Sequence, residues 1–211
     1  MKKLVLQITF GFFIRYFLKV IVGVRFSEAK FLSKEKQFII VANHNSHLDT
    51  MSLMASVPRS IVHRVRPVAA QDHFGKTKVQ EVFSNFFINT LLITRKRKKN
   101  NSAVDPVSKM IQALDDGYSL IIFPEGTRGE PGKEQPLKPG VALVLRQRPE
   151  VKYVPVFMTG MGNAMPKGDS LIVPYNAHVT YGAPKKIMST NVEDILTQIH
   201  NDLNQLKQQH P

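Results

Sequence analysis

The chain has 211 residues, enough for one well-packed domain, and its hydrophobic fraction of 43% argues against an intrinsically disordered protein. It contains no cysteine, which excludes disulfide scaffolds, thiolate metal sites and a cysteine nucleophile in this chain. Lysine and arginine number 29 against 16 acidic residues, and the resulting charge of +13 favours anionic partners such as acidic lipids, an acidic protein or nucleic acid.

The N-terminal residues 4–24 form an apolar stretch about as long as a membrane span. Polar residues recur every four positions and would make one narrow stripe on a helix: Gln7, Gly11, Arg15 and Lys19. An arginine and a lysine at mid-bilayer would each cost about 2.5–3.5 kcal/mol, so we predict an interfacial membrane helix over residues 1–26 rather than a span. An ordinary helix packed on the domain is the alternative. Because Arg15 splits the apolar core and no cleavage site follows, a signal peptide is not favoured.

Residues 27–211 alternate between strand-like and helix-like segments. Strands are predicted at residues 38–42, 65–70, 91–94, 119–123, 153–158 and 178–182. Helices are predicted at residues 50–57, 78–87, 103–116, 140–148 and 192–207. This alternation predicts one α/β domain with a central, mostly parallel sheet flanked by helices.

A histidine and an aspartate, five residues apart, follow the first predicted strand. On a regular helix the two side chains would point about 140° apart, but they converge if His44 lies in the strand-to-helix turn and Asp49 in the first helical turn. Asn45 and Ser46 are suitable N-cap residues for that helix. A carboxylate that accepts from one imidazole nitrogen leaves the other nitrogen basic, so the pair could deprotonate an alcohol. A structural histidine beside a capped helix is the alternative.

A metal site is a weaker interpretation of the same segment. His44, His47 and Asp49 could act as ligands, and further donors would have to come from His63, Asp72 or His73. The spacing of these residues matches no known metal motif, so we expect no metal.

A second motif, at residues 123–128, follows another apolar run and reads Phe-Pro-Glu-Gly-Thr-Arg. Gly126 permits close backbone approach at a strand end, and Arg128 can hold a phosphate through its bidentate fork. Glu125 could orient that arginine or accept from a substrate hydroxyl, and Thr127 could donate another hydrogen bond. Alone, the motif could be a turn with a salt bridge; beside the histidine motif it indicates transfer chemistry on a phosphate-bearing substrate.

Together these motifs resemble those of the glycerolipid acyltransferase family, in particular the 1-acyl-sn-glycerol-3-phosphate acyltransferase type. The resemblance spans roughly residues 38–182. It rests on an N-H-x-S-x-x-D block at residues 43–49, the complete block at 123–128, a V-P-V strand at 154–156 and a K-x-G at 138–140. The second family block is partial: Arg95 matches its arginine, but Asn89 or Thr90 stands where the family has glycine.

The resemblance implies an enzyme that moves a fatty acyl group to the free hydroxyl of a lysolipid and so forms phosphatidic acid. His44 would be the base and Asp49 would orient it. The acceptor's phosphate and glycerol would be positioned by Arg95, Glu125, Gly126, Thr127 and Arg128. The donor would be acyl-CoA or acyl-acyl carrier protein, with no cofactor. Other lyso-acceptors, such as a lyso-ornithine lipid or a lysophospholipid, and a non-catalytic lipid-binding module remain as alternatives.

The basic run at residues 95–99 has several interpretations. It could be a solvated loop, an electrostatic contact with anionic lipid, or a contact with an acidic acyl carrier protein. Since no aromatic residue is interleaved with these cations, we expect no nucleic-acid partner. We expect the enzyme on the cytoplasmic face of the cell membrane, as a peripheral or monotopic protein that meets its lysolipid acceptor at an anionic bilayer surface.

Overall fold

A computed structural model describes residues 1–71, 88–94, 105–129, 135–165 and 172–209. Its centre is a seven-stranded sheet in the order β1-β7-β6-β2-β5-β3-β4. The strands are β1 (Val24–Phe26), β2 (Phe38–Ala42), β3 (Val65–Ala70), β4 (Leu91–Ile93), β5 (Ser119–Ile122), β6 (Lys152–Thr159) and β7 (Ala177–Tyr181). The predicted α/β fold with a mostly parallel sheet is confirmed.

Helices cover both faces of this sheet. They are α1 (Lys2–Val22), α2 (Leu48–Ser56), α3 (Pro106–Asp115), α4 (Gly140–Gln147), α5 (Met161–Ala164) and α6 (Val192–Gln208). Short 3₁₀ turns at Lys30–Lys34 and Val62–Arg64 precede β2 and β3. The six predicted strands are confirmed to within one residue at each end, and the predicted helix at 78–87 lies outside the described residues.

The order of the strands decides where loops meet. Strands β6, β2, β5, β3 and β4 are mutually parallel, whereas β7 is antiparallel to β6 and carries β1 parallel to itself. Because β2 and β5 are parallel neighbours, with Val41 paired to Ile122, their carboxyl ends lie side by side. Both predicted motifs begin at these two ends, which is where open α/β sheets place their ligands.

Alternating side chains of β2 divide the core into two halves. Phe38, Ile40 and Ala42 pack toward α1 and α2, whereas Ile39 and Val41 pack toward α3, α4 and α6. All five residues of β2 are buried, as a central strand covered on both faces requires. The central strand is therefore a fixed base for the turn that follows it.

Helix α1 packs on the domain through its polar stripe as well as through apolar residues. Its Gln7 side chain donates to the carbonyl of Arg59 (3.1 Å), and Arg15 Nη1 donates to the carbonyl of Ala55 (2.6 Å). Leu6, Phe10, Leu18 and Val22 join the buried core. An interfacial helix normally turns its polar face to water, but here most of that face is directed at the protein.

The outward face of α1 is apolar. Phe12, Phe13 and Tyr16 are 60%, 61% and 63% exposed and lie against one another, with ring centroids 5.3 Å apart for Phe12–Phe13 and 6.4 Å for Phe12–Tyr16. Val20 and Ile21 continue this exposed surface. Among the described residues, α1 is the one helix long and apolar enough to cross a bilayer, a criterion that signal sequences and buried core helices also meet.

The N-terminal segment is not helical to its predicted end. The helix stops at Val22, and the prediction that it extends through residue 26 is wrong because Val24–Phe26 form β1 at the sheet edge. Gly23 has φ +87°, and a Cβ there would lie 2.9 Å from the carbonyl oxygen of Tyr175. A residue with a side chain would be strained at this sharp turn from helix to strand. The division into residues 1–26 and 27–211 as separate domains stays a prediction.

Candidate active site

His44 and Asp49 meet at the carboxyl end of β2. His44 lies in the loop after Ala42, and Asp49 is the second residue of α2. The imidazole Nδ1 is 2.9 Å from Asp49 Oδ2. The predicted convergence of the two side chains is therefore confirmed, for the predicted reason: one residue precedes the helix and the other lies in its first turn.

The carboxylate of Asp49 is held firmly. It is 1% exposed, and its Oδ2 also accepts from the backbone N–H groups of Asn45 (2.7 Å) and Ser46 (2.8 Å). Asp49 Oδ2 accepts from two backbone N–H groups as an ionised carboxylate oxygen, which has no hydrogen of its own to donate. The hydrogen of the His44–Asp49 bond is therefore carried by His44 Nδ1. This arrangement fixes one tautomer and leaves His44 Nε2 as the nitrogen that can accept a proton.

Other residues of the motif shape the turn. The Asn43 side chain donates to the carbonyl of Met158 (2.9 Å) and accepts from the Met158 N–H (2.8 Å), which extends the contact between β2 and β6. Ser46 Oγ accepts from the Leu48 N–H (3.2 Å) and donates to the carbonyl of Met165 (2.9 Å). The N-cap position is His47 rather than the predicted Asn45 or Ser46, although the Ser46 hydroxyl still caps the helix from one residue earlier.

Glu125 joins the second motif to the first. Its Oε1 accepts from the backbone N–H of His44 (3.3 Å), and its Oε2 accepts from the Gln135 side chain (3.2 Å). Burial raises the pKa of Glu125 to about 7; the bond from the His44 N–H opposes this rise, and the nearby Asp49 carboxylate adds to it. Glu125 therefore changes charge near neutral pH while its carboxyl group is hydrogen-bonded to the His44 N–H.

Phe123 contributes a contact that the sequence did not predict. Its ring stacks on the imidazole of His44, with centroids 4.1 Å apart and planes inclined by 17°. The ring position is thus fixed from the face by Phe123 and from the edge by Asp49. Phe123 is the first residue of the second motif, where the sequence pattern predicts only the end of a strand.

The turn after β5 requires the glycine of the motif. Gly126 has φ +72°, and its N–H donates to the carbonyl of Phe123 (3.0 Å). A Cβ at this position would lie 2.6 Å from Lys138 Nζ, so the lysine ammonium lies directly against the loop. The Lys138 N–H donates to the carbonyl of Pro124 (2.8 Å). Lys138 is therefore a further cation at the site, and the K-x-G pattern was its only sequence signal.

The remaining predicted residues lie around this loop. Arg128 bonds through Nη1 to Nε2 of His47, beside the start of α2, and Gly129 N–H donates to the carbonyl of His44 (2.8 Å). Thr127 donates from its hydroxyl to the Gln135 side chain (3.2 Å). The structure thus brings Glu125, Gly126, Thr127 and Arg128 to the His44 turn, whereas Arg95 lies outside the described residues.

The structure explains how the second family block can lack its glycine. Asn89 has φ +61°, the left-handed conformation that glycine and asparagine tolerate best, and it is buried. Its side chain donates to the carbonyls of Val65 (2.9 Å) and His63 (3.1 Å). Asn89 therefore occupies a position where glycine is expected, in a backbone conformation that glycine would also adopt.

The metal alternative gains no support from the part of the chain that the structure describes. No group of three or more histidine, aspartate or glutamate residues there could hold an ion. His47 faces the guanidinium of Arg128, a position that suits an anion better than a cation. Asp72 and His73 lie outside the described residues.

Comparison with known proteins identifies a family and a shared fold. The sequence profile described as Acyltransferase matches residues 23–175. A crystal structure titled as the 1-acyl-sn-glycerophosphate (LPA) acyltransferase PlsC from Thermotoga maritima shares the fold. Its TM-score is 0.76 at 21% identity, over 96% of this chain and 77% of that one.

Curated relatives carry related names. The 1-acyl-sn-glycerol-3-phosphate acyltransferase beta of Homo sapiens is 30% identical over 156 residues, which are 69% of this chain and 50% of the human protein. The chloroplastic 1-acyl-sn-glycerol-3-phosphate acyltransferase BAT2 of Brassica napus is 28% identical over 141 residues, which are 67% of this chain and 38% of that protein. The chain thus spans half or less of the length of these relatives. Since the profile covers most of the chain, including both motifs, the protein belongs to the acyltransferase family.

Proposed function

We propose that this acyltransferase moves a fatty acyl group from acyl-CoA or acyl-acyl carrier protein to the free hydroxyl of 1-acyl-sn-glycerol-3-phosphate, giving phosphatidic acid. The observation that carries the proposal is the 2.9 Å contact of His44 with a buried Asp49 that also accepts from two backbone N–H groups. The adjoining loop carries Gly126, Thr127 and Arg128. The names of the relatives support this choice of acceptor.

The reaction needs a base and forms no acyl-enzyme intermediate. His44 Nε2 takes the proton of the acceptor hydroxyl as its oxygen attacks the thioester carbonyl carbon, and Asp49 stabilises the imidazolium that results. The tetrahedral species then collapses, the carbon–sulfur bond breaks, and the leaving thiolate takes the proton back from His44. An ester and a free thiol are formed, and His44 returns to its starting state.

The loop after β5, together with Arg95 from the segment that follows β4 in the sequence, supplies the acceptor site in this proposal. Arg128 and Arg95 hold the phosphate by charge-assisted hydrogen bonds, and Lys138 adds a third cation. The backbone at Gly126 and the hydroxyl of Thr127 fix the position of the glycerol. Glu125, which is tied to the backbone of His44, accepts from the acceptor when ionised. The attacking hydroxyl is thereby directed toward Nε2.

The exposed face of α1 supports a location at the membrane. Phe12, Phe13 and Tyr16 form an aromatic surface open to solvent, while Gln7 and Arg15 of the helix bond to the domain. Such a face is stable when it enters the headgroup and upper acyl region of one leaflet. We propose a peripheral or monotopic enzyme on the cytoplasmic face, where the acyl donors are available.

The test is an acyl-transfer assay with purified protein, both donor types, and a panel of lysophosphatidate, lysophosphatidylcholine, lysophosphatidylethanolamine and lyso-ornithine lipid. We expect the highest kcat/KM with lysophosphatidate and no transfer by His44→Ala. Equal rates across the panel would contradict the proposed phosphate site. An absence of transfer to every acceptor with either donor would contradict the proposed activity.

A further inference from the structure

A second candidate lipid site lies where α1 ends. An open pocket of about 760 Å³ is bounded by the last turn of α1, by β1 and by the segment before β7. Its lining includes Lys19 from the helix, Arg25 from β1, and Tyr175 and Asn176 from the third segment. The Tyr175 N–H donates to the carbonyl of Val22 (2.9 Å), which joins two of the walls.

The lining combines positive charge with exposed apolar surface. Lys19 and Arg25 are both exposed, and none of the described residues that line the pocket is acidic. Val20 and Ile21 from α1 and Tyr175 from the opposite wall are also largely exposed. Two cations and an amide beside apolar groups suit a phosphate that is attached to a lipid, because the headgroup and the upper acyl chains need these two environments together.

The pocket lies at the same edge of the sheet as the active site. Strands β7 and β1 run opposite to β6, so their first residues lie beside the end of β6: Thr159 pairs with His178, and Ala177 pairs with Val24. Strand β1 is three positions from β2 in the sheet order, which is about 14 Å at about 4.8 Å per strand. The pocket is therefore distinct from the His44 site but faces the same side of the molecule.

We propose that Lys19 and Arg25 bind the phosphate of an anionic phospholipid in the leaflet, as a site separate from that of the acyl acceptor. Lipid binding at this site and insertion of the aromatic face of α1 together orient the protein. The carboxyl ends of β2 and β5, which carry the His44 site, then face the bilayer. The inference rests on the proposed membrane association but not on the proposed reaction. Its ligand is a resident lipid of the membrane, held without chemical change.

The first experiment compares two charge-matched variants of the full chain. Lys19→Gln/Arg25→Gln removes the proposed site, and Lys34→Gln/Lys36→Gln removes two exposed lysines just before β2, at the opposite edge of the sheet. Binding is measured by flotation with vesicles of phosphatidylcholine alone or with added phosphatidylglycerol. We expect the site variant to lose about 25-fold in binding to the anionic vesicles, at about fivefold per cation, and the control less than about twofold. Equal losses in the two variants, or no loss in the site variant, would overturn the proposal.

The second experiment separates a site from diffuse attraction. Short-chain, monomeric phosphatidylglycerol is titrated calorimetrically into the wild type, the site variant and Arg128→Ala. We expect saturable binding that the site variant loses and Arg128→Ala keeps. Absence of saturable binding in the wild type, or its loss in Arg128→Ala alone, would overturn the assignment to Lys19 and Arg25. Turnover of a short-chain lysophosphatidate by the site variant should remain at the wild-type level. This assay tests the acyl-transfer proposal separately, because a wild type without turnover would contradict that proposal and leave the lipid-binding results valid.

Discussion

Two regions, the His44 turn and helix α1, direct polar groups into the protein. They differ in what they leave outside, which is polar at the turn and apolar on the helix. In the turn, the inward groups are the Asp49 carboxylate and two backbone N–H groups, and the outward group is a basic imidazole nitrogen. In α1, the inward groups are Gln7 and Arg15, and the outward groups are aromatic rings. In both regions, polar bonds inside the protein fix the position of the segment, while the groups left outside carry the proposed function.

The largest effect is expected at the turn. His44→Ala removes the base and should lower kcat by about 10²–10⁴-fold, while binding to vesicles stays unchanged. Asp49→Asn should be nearly as severe, because the amide can no longer accept as a carboxylate does and the imidazole loses its fixed tautomer. Steady-state kinetics and vesicle flotation measure the two properties. His200→Ala, at a half-buried histidine of α6, is the matched control and should leave both unchanged.

The outward face of α1 should show the reverse pattern. Phe12→Ser/Phe13→Ser/Tyr16→Ser should weaken vesicle binding by about a hundredfold, since burial of the exposed part of each ring in the leaflet contributes roughly 1 kcal/mol. Turnover of a soluble short-chain acceptor should stay near the wild-type value. Substitution is a sharper test than deletion of the helix, because Leu6, Phe10, Leu18 and Val22 belong to the core. Met188→Ser, at another exposed apolar residue, controls for general surface effects.

A smaller effect is expected for the acceptor site. Arg128→Ala should raise KM for lysophosphatidate by roughly ten- to a hundredfold, as the loss of one charge-assisted bond of about 1.5–3 kcal/mol implies. The same increase is expected for Arg95→Ala. Arg148→Ala, which removes a surface ion pair with Asp115 far from the turn, is the control. An unchanged KM in both Arg95 and Arg128 variants would place the phosphate elsewhere.

The smallest effect concerns stability and pH. The pKa of Glu125 is about 7 in the folded protein, above its ordinary value of 4.5, so the folded state binds more protons than the unfolded chain between these pH values. The free energy of unfolding contributed by this group therefore falls as pH rises from about 4.5 to about 7. Glu125→Gln should flatten the decrease of Tm over this range, as measured by thermal unfolding in a pH series. Glu28→Gln, at an exposed carboxylate, should retain the wild-type slope.

Sequence patterns predicted the parts of the molecule that depend on local order. Strand β2 is a continuous apolar run, and the five-residue spacing of His44 and Asp49 determines their convergence once a turn separates strand from helix. The stacking of Phe123 on His44 could not be predicted, because it depends on β5 lying beside β2. Strand β1 was missed since its three residues continue an apolar helix and pair only with β7. The stripe on α1 was visible in the sequence, but which side faces the protein depends on the positions of Ala55 and Arg59.

The bond from Arg15 to the carbonyl of Ala55 has a consequence for how the enzyme reaches its membrane. Ala55 lies in the last turn of α2, so the guanidinium caps the helix whose first turn holds Asp49. Under the proposed membrane association, the inner half of α1 stays on the protein, and only the outer half, roughly 5 Å deep, is available to lipid. Under that association, we expect the helix to enter the leaflet after the domain has folded, because its inner face is already bonded to the protein. Extraction by mild detergent should then release the protein folded and active, with α1 still packed against α2.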